Sequence, residues 1–220
     1  MIPPDQNSSF VANMEMVLDV YKRPLAYENP VVCMDESPKQ LIAETKTPIH
    51  AKPGQPAIYD YVYKRCGTCN RLLACEPLAG NRLVSISERR TKGDWALFVE
   101  DIAEHYKDAE KITLVMDNLN THNPGSLYEA FPAAKAKALW DRFEFVYTPK
   151  HGSWLNMAEI ELNVLTGQCT NRRIDNIDEV RKQASAWQSF RNNKKAKVNW
   201  QFTTTDARIK LSPLYPTLNN

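Results

Sequence analysis

The period of the apolar positions changes along the chain, and each change marks an element. Between Ser8 and Lys22, residues Phe10, Met14, Val17, Leu18 and Tyr21 recur at helical spacing behind two serines able to cap a helix, which predicts a helix over 8–22. Pro24 and Pro30 punctuate a connector, and "VVCM" before Asp35 reads as a short buried strand. Residues 39–56, with Pro48, Pro53, Gly54 and Pro56, read as a long surface loop. The runs "AIYDYVYKR" (57–65) and "NRLLACEPL" (70–78) flank Gly67 and predict a hairpin; "NRLVSIS" (81–87) adds a third strand to the meander. Trp95, Phe98, Val99, Ile102 and Tyr106 predict an amphipathic helix over 95–106, with Asp94 near its start. Then follow a strand over 111–117, a helix within 124–140, a strand over 143–148 ended by Pro149, a helix from Ser153 to about Cys169, and another over 177–192. The tail, 200–220, reads as irregular. Strands that cluster first and then alternate with helices predict an α/β fold in which helices cover a mixed sheet.

Composition narrows the class without naming a function. The 25.2 kDa chain of 220 residues is 43% hydrophobic and 25% charged, the balance of an ordinary soluble globular protein. No apolar run approaches the ~20 residues of a membrane span and no signal-peptide pattern opens the sequence, so a membrane role is excluded and a cytoplasmic location expected. Five cysteines (Cys33, Cys66, Cys69, Cys75, Cys169), without a secretion signal, favour reduced thiols over a disulfide framework. Cys66-Gly-Thr-Cys69 has the spacing of a zinc half-site, but no second pair completes it, and a hairpin turn is the better account. A net charge of +2 permits a nucleic-acid partner without demanding one.

The candidate chemistry is acidic. Two predicted strands end alike, "VVCMDE" with Asp35 and "LVMD" with Asp117. Ligands collect beyond the carboxyl ends of strands in open α/β sheets. Two aspartates on neighbouring strands there repel unless a proton or a cation compensates them. Mg²⁺ suits such a place, since it takes oxygen ligands and binds through one or two carboxylates plus substrate phosphate. A third acid is available from "YTPKHGSWLNMAEIELN" (147–163), where Glu159 and Glu161 flank the apolar stripe of one helix. Helical geometry alone does not choose between them. The plain alternative is that each strand-end aspartate merely forms a turn or caps a helix.

Three stretches, "PVVCMDESPKQLI" (30–42), "LVMDNLNTH" (114–122) and "YTPKHGSWLNMAEIEL" (147–162), together with "ERRTKGDWA" (88–96) and "NWQFTTTDARIKL" (199–211), resemble the bacterial insertion-sequence DDE transposases of the mariner superfamily. The likeness runs in order along nearly the whole chain. It implies a ribonuclease H-like fold, a mixed five-stranded sheet flanked by helices, occupying 29–198 as the catalytic domain. An N-terminal helix and linker (1–28) precede it and a C-terminal tail (199–220) follows. Carried over by position, the catalytic and metal-holding acids are Asp35, Asp117 and Glu159. The last is the acid of Leu155-Asn156-Met157-Ala158-Glu159, which leaves Glu161 a flanking residue. The separation of Asp117 and Glu159 is longer than is typical of mariner relatives, the excess lying in "NPGSLYEAFPAAKAKALW".

The resemblance further implies a transposase reaction assisted by two Mg²⁺ or Mn²⁺ ions: water cleaves a strand at the element's end, and the freed 3′-hydroxyl attacks target DNA. The target is expected to be a TA dinucleotide, whose flexible stacking makes it easy to deform. The partners expected are double-stranded DNA and a second copy of the chain or more. Relatives carry helix-turn-helix domains ahead of the catalytic domain, whereas one helix precedes Asp35 here. That implies a separately encoded catalytic half, with an upstream helix-turn-helix polypeptide as partner, or a shortened copy. Lys150 and His151, and the cluster Arg191, Lys194, Lys195 and Lys197, are candidate DNA contacts, as are Arg89, Arg90, Lys92, Arg172 and Arg173; solvated surface is the plain alternative. Asn118, Asn120, His122 and Ser153 either support the site or only bond the loops that carry them, and Trp154 is expected in the core. The competing functions are a ribonuclease H-like nuclease limited to hydrolysis and a remnant that only binds DNA.

Overall fold

The computed structural model describes residues 7–47, 49, 51–56 and 60–217. Its elements are α1 (Ser8–Tyr21), β1 (Val31–Glu44), β2 (Tyr63–Glu76), β3 (Asn81–Ser87), α2 (Lys92–His105), β4 (Ile112–Met116), α3 (Pro124–Ala130), α4 (Ala133–Arg142), β5 (Phe143–Tyr147), α5 (Met157–Leu165), α6 (Ile177–Asn193) and α7 (Thr204–Lys210). The five strands form one sheet in the order β3-β2-β1-β4-β5. β1, β2 and β3 are antiparallel, while β4 and β5 run parallel to β1. Among the described residues no helix is long and apolar enough to cross a membrane.

Each face of the sheet buries its own core. Val32, Met34, Leu114 and Met116 point toward α2, α3 and α4, where Trp95, Phe98, Ile102 and Leu139 receive them. Cys33, Leu73, Val115 and Val146 point the other way, onto α1 and α5, with Met14, Val17, Leu18, Ala158 and Leu162. The second face also takes Ala207 of α7 and Leu214, so the tail packs beside α1. There Arg208 pairs with Glu15 at 2.8 Å and Thr204 donates to Asp19 at 2.9 Å. A third, smaller cluster joins Leu41, Cys69 and Ile86 to Val180 and Ala184 of α6.

Four expectations are corrected. β1 does not stop after Met34 but continues through Pro38 to Glu44, so the expected surface loop over 39–56 begins only after that strand. Pro38 is tolerated because β1 pairs with β4 only from Val31 to Cys33, so among the described residues no strand lies beside that edge at Pro38. The expected hairpin at Gly67 is absent: Gly67 lies inside β2, with a φ of 105°, opposite the register shift between Gln40 and Ile42. The chain reverses instead between β1 and β2, where residues 57–59 lie outside the described part, and Cys66 and Cys69 are strand residues with free thiols. The helix expected within 124–140 breaks at Phe131-Pro132 into α3 and α4. Finally, the tail is helical over α7, because Thr203 and Asp206 form a capping box.

Candidate active site

Alternation along β1 and β4 decides which way the aspartates point. Cys33 and Val115 face α5, and successive side chains of a strand alternate, so Asp35 and Asp117 emerge on the α5 side as well. Both lie beyond the last β1–β4 pair, Cys33 with Val115, where the two strands part. Glu159 enters from above, in the first turn of α5. Asp35, Glu36 and Ser37 line an open cleft of about 250 Å³ together with Glu159, Leu162, Asn163 and Thr166.

The start of α5 is tied directly to the strand that carries Asp35. Asn156, 1% exposed, accepts from the Ala158 N–H at 3.1 Å as N-cap and donates through Nδ2 to the Met34 carbonyl at 2.8 Å. Tyr21 donates its hydroxyl to the Leu155 carbonyl at 2.7 Å, so α1 braces the same corner. Asn156 appears in the sequence only as part of a motif; its bond to Met34 was the unread half of that motif.

The electrostatics mark Asp35. Burial raises its pKa first, and the charges of Asp117 and Glu159 push the same way. The Glu36 N–H, donating to Oδ1 at 2.7 Å, and His122 oppose them, and the carboxyl ends at about 7. His122 is 1% exposed, stacks on Trp95, and stands between two acids: Nδ1 is 2.6 Å from Asp117 Oδ1 and Nε2 is 3.6 Å from Glu36 Oε1. Burial resists the imidazolium, yet the two acids outweigh it and lift His122 to about 9. It is therefore a cation at neutral pH. Glu36 also accepts from Asn70 at 3.0 Å and pairs with Arg90. Burial of Glu36 is outweighed by its bonds to His122 and Asn70, and its pKa falls below the ordinary glutamate value.

The two glutamates of α5 have different surroundings. Glu161 is 1% exposed and accepts from Arg82 at 2.8 Å through both Nε and Nη2, and from Arg191 at 2.8 Å. Arg82 donates further to the carbonyls of Gly80 and Ala196, which locks β3 and the end of α6 against α5. Glu159 makes no side-chain bond among the described residues and looks into the cleft.

The other sequence candidates fall into three groups. Arg191, Arg90, Lys92 and Arg173 are engaged by Glu161, Glu36, Glu129 and Glu44. Lys150 and His151 are exposed on the loop between β5 and α5, His151 with a φ of 64°. Lys194, Lys195 and Lys197, after α6, are exposed, as are Arg89 and Arg172 elsewhere in the chain; Asn118 and Asn120 are exposed loop residues, and Ser153 is exposed at the start of a short 3₁₀ helix, Ser153–Leu155. Trp154 is partly buried, edge-on to Phe202.

All three acids offer oxygen donors, the set preferred by hard divalent cations. Asp117 Oδ1 is buried against the His122 ring, 2.6 Å from Nδ1. No three His, Cys, Asp or Glu side chains of the described residues converge tightly enough to surround one ion.

The fold has solved counterparts. The Mos1 mariner paired-end complex with Mn is 15% identical and superposes with a TM-score of 0.58, over 89% of this chain and 60% of that one. The Mos1 paired-end complex with the left transposon end is 13% identical at a TM-score of 0.59, over 98% of this chain and 66% of that one. The catalytic domain of Mos1 alone is 13% identical at a TM-score of 0.52, over 89% of this chain and 96% of that one. The chain thus spans about 60% of the length of the Mos1 chain in the Mn complex, and its mixed five-stranded sheet flanked by helices is the ribonuclease H-like architecture expected from the sequence. No curated protein matches it. The family model for DDE superfamily endonucleases matches residues 30–181, most of the chain and all three acids, and the chain belongs to that family.

Proposed function

We propose that this chain is the catalytic part of a DNA transposase, which cleaves a strand at the element's end and joins the freed 3′-hydroxyl to target DNA. The observation that carries the reading is the loaded carboxyl of Asp35: it shares a cleft with Glu159 and is pushed up to about 7 by burial and by its acidic neighbours. Such charge crowding is unfavourable unless a cation answers it. Asp35, Asp117 and Glu159 would hold the divalent ions, Mg²⁺ or Mn²⁺ and two in number. Bound there, such ions neutralise the phosphate, lower the pKa of water and stabilise the leaving oxygen. The protein's own contribution is placement. Asn156 fixes α5 over Asp35, and His122 fixes the Asp117 carboxylate while sharing its charge with Glu36.

The Mos1 structures were obtained as paired-end complexes and with Mn or Mg, which supports DNA and a divalent cation as partners of this chain. Lys150 and His151, flanking the cleft by sequence, and Lys194, Lys195 and Lys197 are the exposed cations we assign to the DNA backbone; Arg191 serves Glu161 instead. A bacterial insertion-sequence origin, a TA-type target, a dimer or higher assembly on DNA, an upstream helix-turn-helix partner, a cytoplasmic location and a catalytic domain over 29–198 complete the proposal. The test is cleavage and joining of DNA bearing the element's ends in Mg²⁺ or Mn²⁺. Wild type should do both, and Asp35→Asn, Asp117→Asn and Glu159→Gln neither. Full activity of Asp117→Asn would overturn the reading. Cleavage without joining of pre-cut ends would make the protein a nuclease.

A further inference from the structure

Arg71, on β2, is 4% exposed, and no carboxylate answers it. Arg82, Arg191 and Arg173, also wholly or partly buried, each have an acid: Arg82 and Arg191 share Glu161, and Arg173 has Glu44. Arg71 instead donates to neutral oxygens. Nη1 reaches Thr166 Oγ1 at 2.9 Å and Thr170 Oγ1 at 2.6 Å, and Nη2 reaches Ser37 Oγ at 2.8 Å. Its longer contacts, at 3.4 Å, are the carbonyls of Ser37 and Pro38. Burial depresses its pKa below the ordinary arginine value; the thiols of Cys69 and Cys169 oppose that, and no carboxylate does. A buried guanidinium is costly unless an opposite charge compensates it. The protein leaves this one uncompensated at the edge of the acidic cleft.

Two of its partners, Ser37 and Thr166, line that cleft with Asp35 and Glu159. Thr166 spends its hydrogen on the Leu162 carbonyl at 2.8 Å. Ser37 does not: its Oγ accepts from Arg71 and donates to no group among the described residues. A hydroxyl that accepts from a cation is polarised into a better donor. Ser37 thus carries the charge of Arg71 to the cleft surface as an O–H.

We propose that Ser37, backed by Arg71, is a phosphate-binding subsite at the edge of the cleft, which takes a backbone phosphodiester of DNA next to the one that reacts. The inference rests on the proposed function for its ligand and adds to it a named contact. Ser37 touches the phosphate; Arg71 is a positioning residue that acts through Ser37 and holds the turn after α5 through Thr166 and Thr170.

The test is binding of fluorescein-labelled duplex DNA by the full chain, followed by anisotropy in Ca²⁺ so that cleavage does not intrude. Ser37→Ala should weaken binding about tenfold, the range of a hydrogen bond with charge assistance, and lower the melting temperature by a few degrees, because Arg71 Nη2 loses its 2.8 Å acceptor. Duplexes carrying one neutral methylphosphonate at successive positions then locate the contact. At one position the wild type should lose affinity, and Ser37→Ala should lose nothing more. Arg71→Lys, which keeps the charge, should keep the steepness of the salt dependence, whereas Arg71→Gln should flatten it by about one ion per complex. Wild-type affinity in Ser37→Ala, or equal sensitivity of that variant to every methylphosphonate, overturns the subsite while cleavage by the wild type leaves the proposed function standing. A wild type that binds and cleaves no duplex overturns both.

Discussion

Asn156 donates to the carbonyl of Met34 at 2.8 Å, so the helix bearing Glu159 is bonded to the strand bearing Asp35 at the residue next to that acid. Asn156→Ala removes this bond and the N-cap together. A buried acceptor left unmet costs about 1–3 kcal/mol, and a lost cap about 1 kcal/mol. The melting temperature should fall by several degrees. Asn156→Asp keeps the cap acceptor but cannot donate to Met34, so it should recover only part of that stability and little of the strand cleavage. Calorimetry beside a cleavage assay separates the two losses.

Glu159 and Glu161 should respond oppositely to the same chemical change. Glu161→Gln leaves Arg82 and Arg191 facing a neutral amide in the interior. Breaking a buried pair by removing one partner costs about 3–5 kcal/mol, on the order of 10 °C in a chain of this size. Glu159→Gln should hold the wild-type melting temperature within about 1 °C, because a group that makes no bond has little to lose. Its loss should appear in catalysis alone.

His122 predicts a pH slope. Its pKa is 6.5 unfolded and about 9 folded, so its contribution to stability is complete below 6.5 and is lost as pH rises through about 9. The wild type should therefore melt at a lower temperature at pH 9 than at pH 6.5, and His122→Gln, less stable at pH 6.5, should show a shallower decline. A parallel decline in both proteins would assign the slope to other groups.

Asp35 predicts how a cation changes stability. Its folded pKa of about 7 exceeds the ordinary 3.8, so ionising it costs stability that falls away progressively as pH rises through that window. A divalent cation bound there would replace the proton. Mg²⁺ should raise the melting temperature more at pH 8 than at pH 5.5, and Asp35→Asn should be more stable than wild type at pH 8 in chelator. Thermal scans with and without EDTA check both.

The sequence was legible where local pattern and tertiary outcome agree. The amphipathic stripes of α1, α2 and α6 and the apolar runs of β4 and β5 were read to within a few residues, because each buries one face or both. β1 and β2 were misread for one shared reason. Pro38, Gly67 and a polar stretch signal turns, yet pairing between the two strands overrides them: Pro38 stands opposite Asn70, and Gln40 donates to the Gly67 carbonyl at 2.5 Å. Only the register, a long-range fact, contains that answer. The strand-end aspartates could be read as a pair from the motifs. The difference between Glu159 and Glu161 could not be read from helix geometry, since the arginines that claim Glu161 come from β3 and α6. Thr203 and Asp206 did carry a visible capping box, hidden in a run of threonines that reads as irregular.

The strand order has a consequence for how the molecule comes together. β1, β2 and β3 pair with their neighbours in sequence, so this meander closes only the connections 45–62 and 77–80. Asp35 and Glu159 lie more than half the chain apart, and the clasp on Glu161 needs Arg191, later still. Contacts of such separation form late, because the entropy of loop closure precedes their reward. A chain synthesised only as far as β5 therefore presents two strand-end aspartates and no third acid. The cleft is completed only once α5 has come back onto the strands that carry the aspartates.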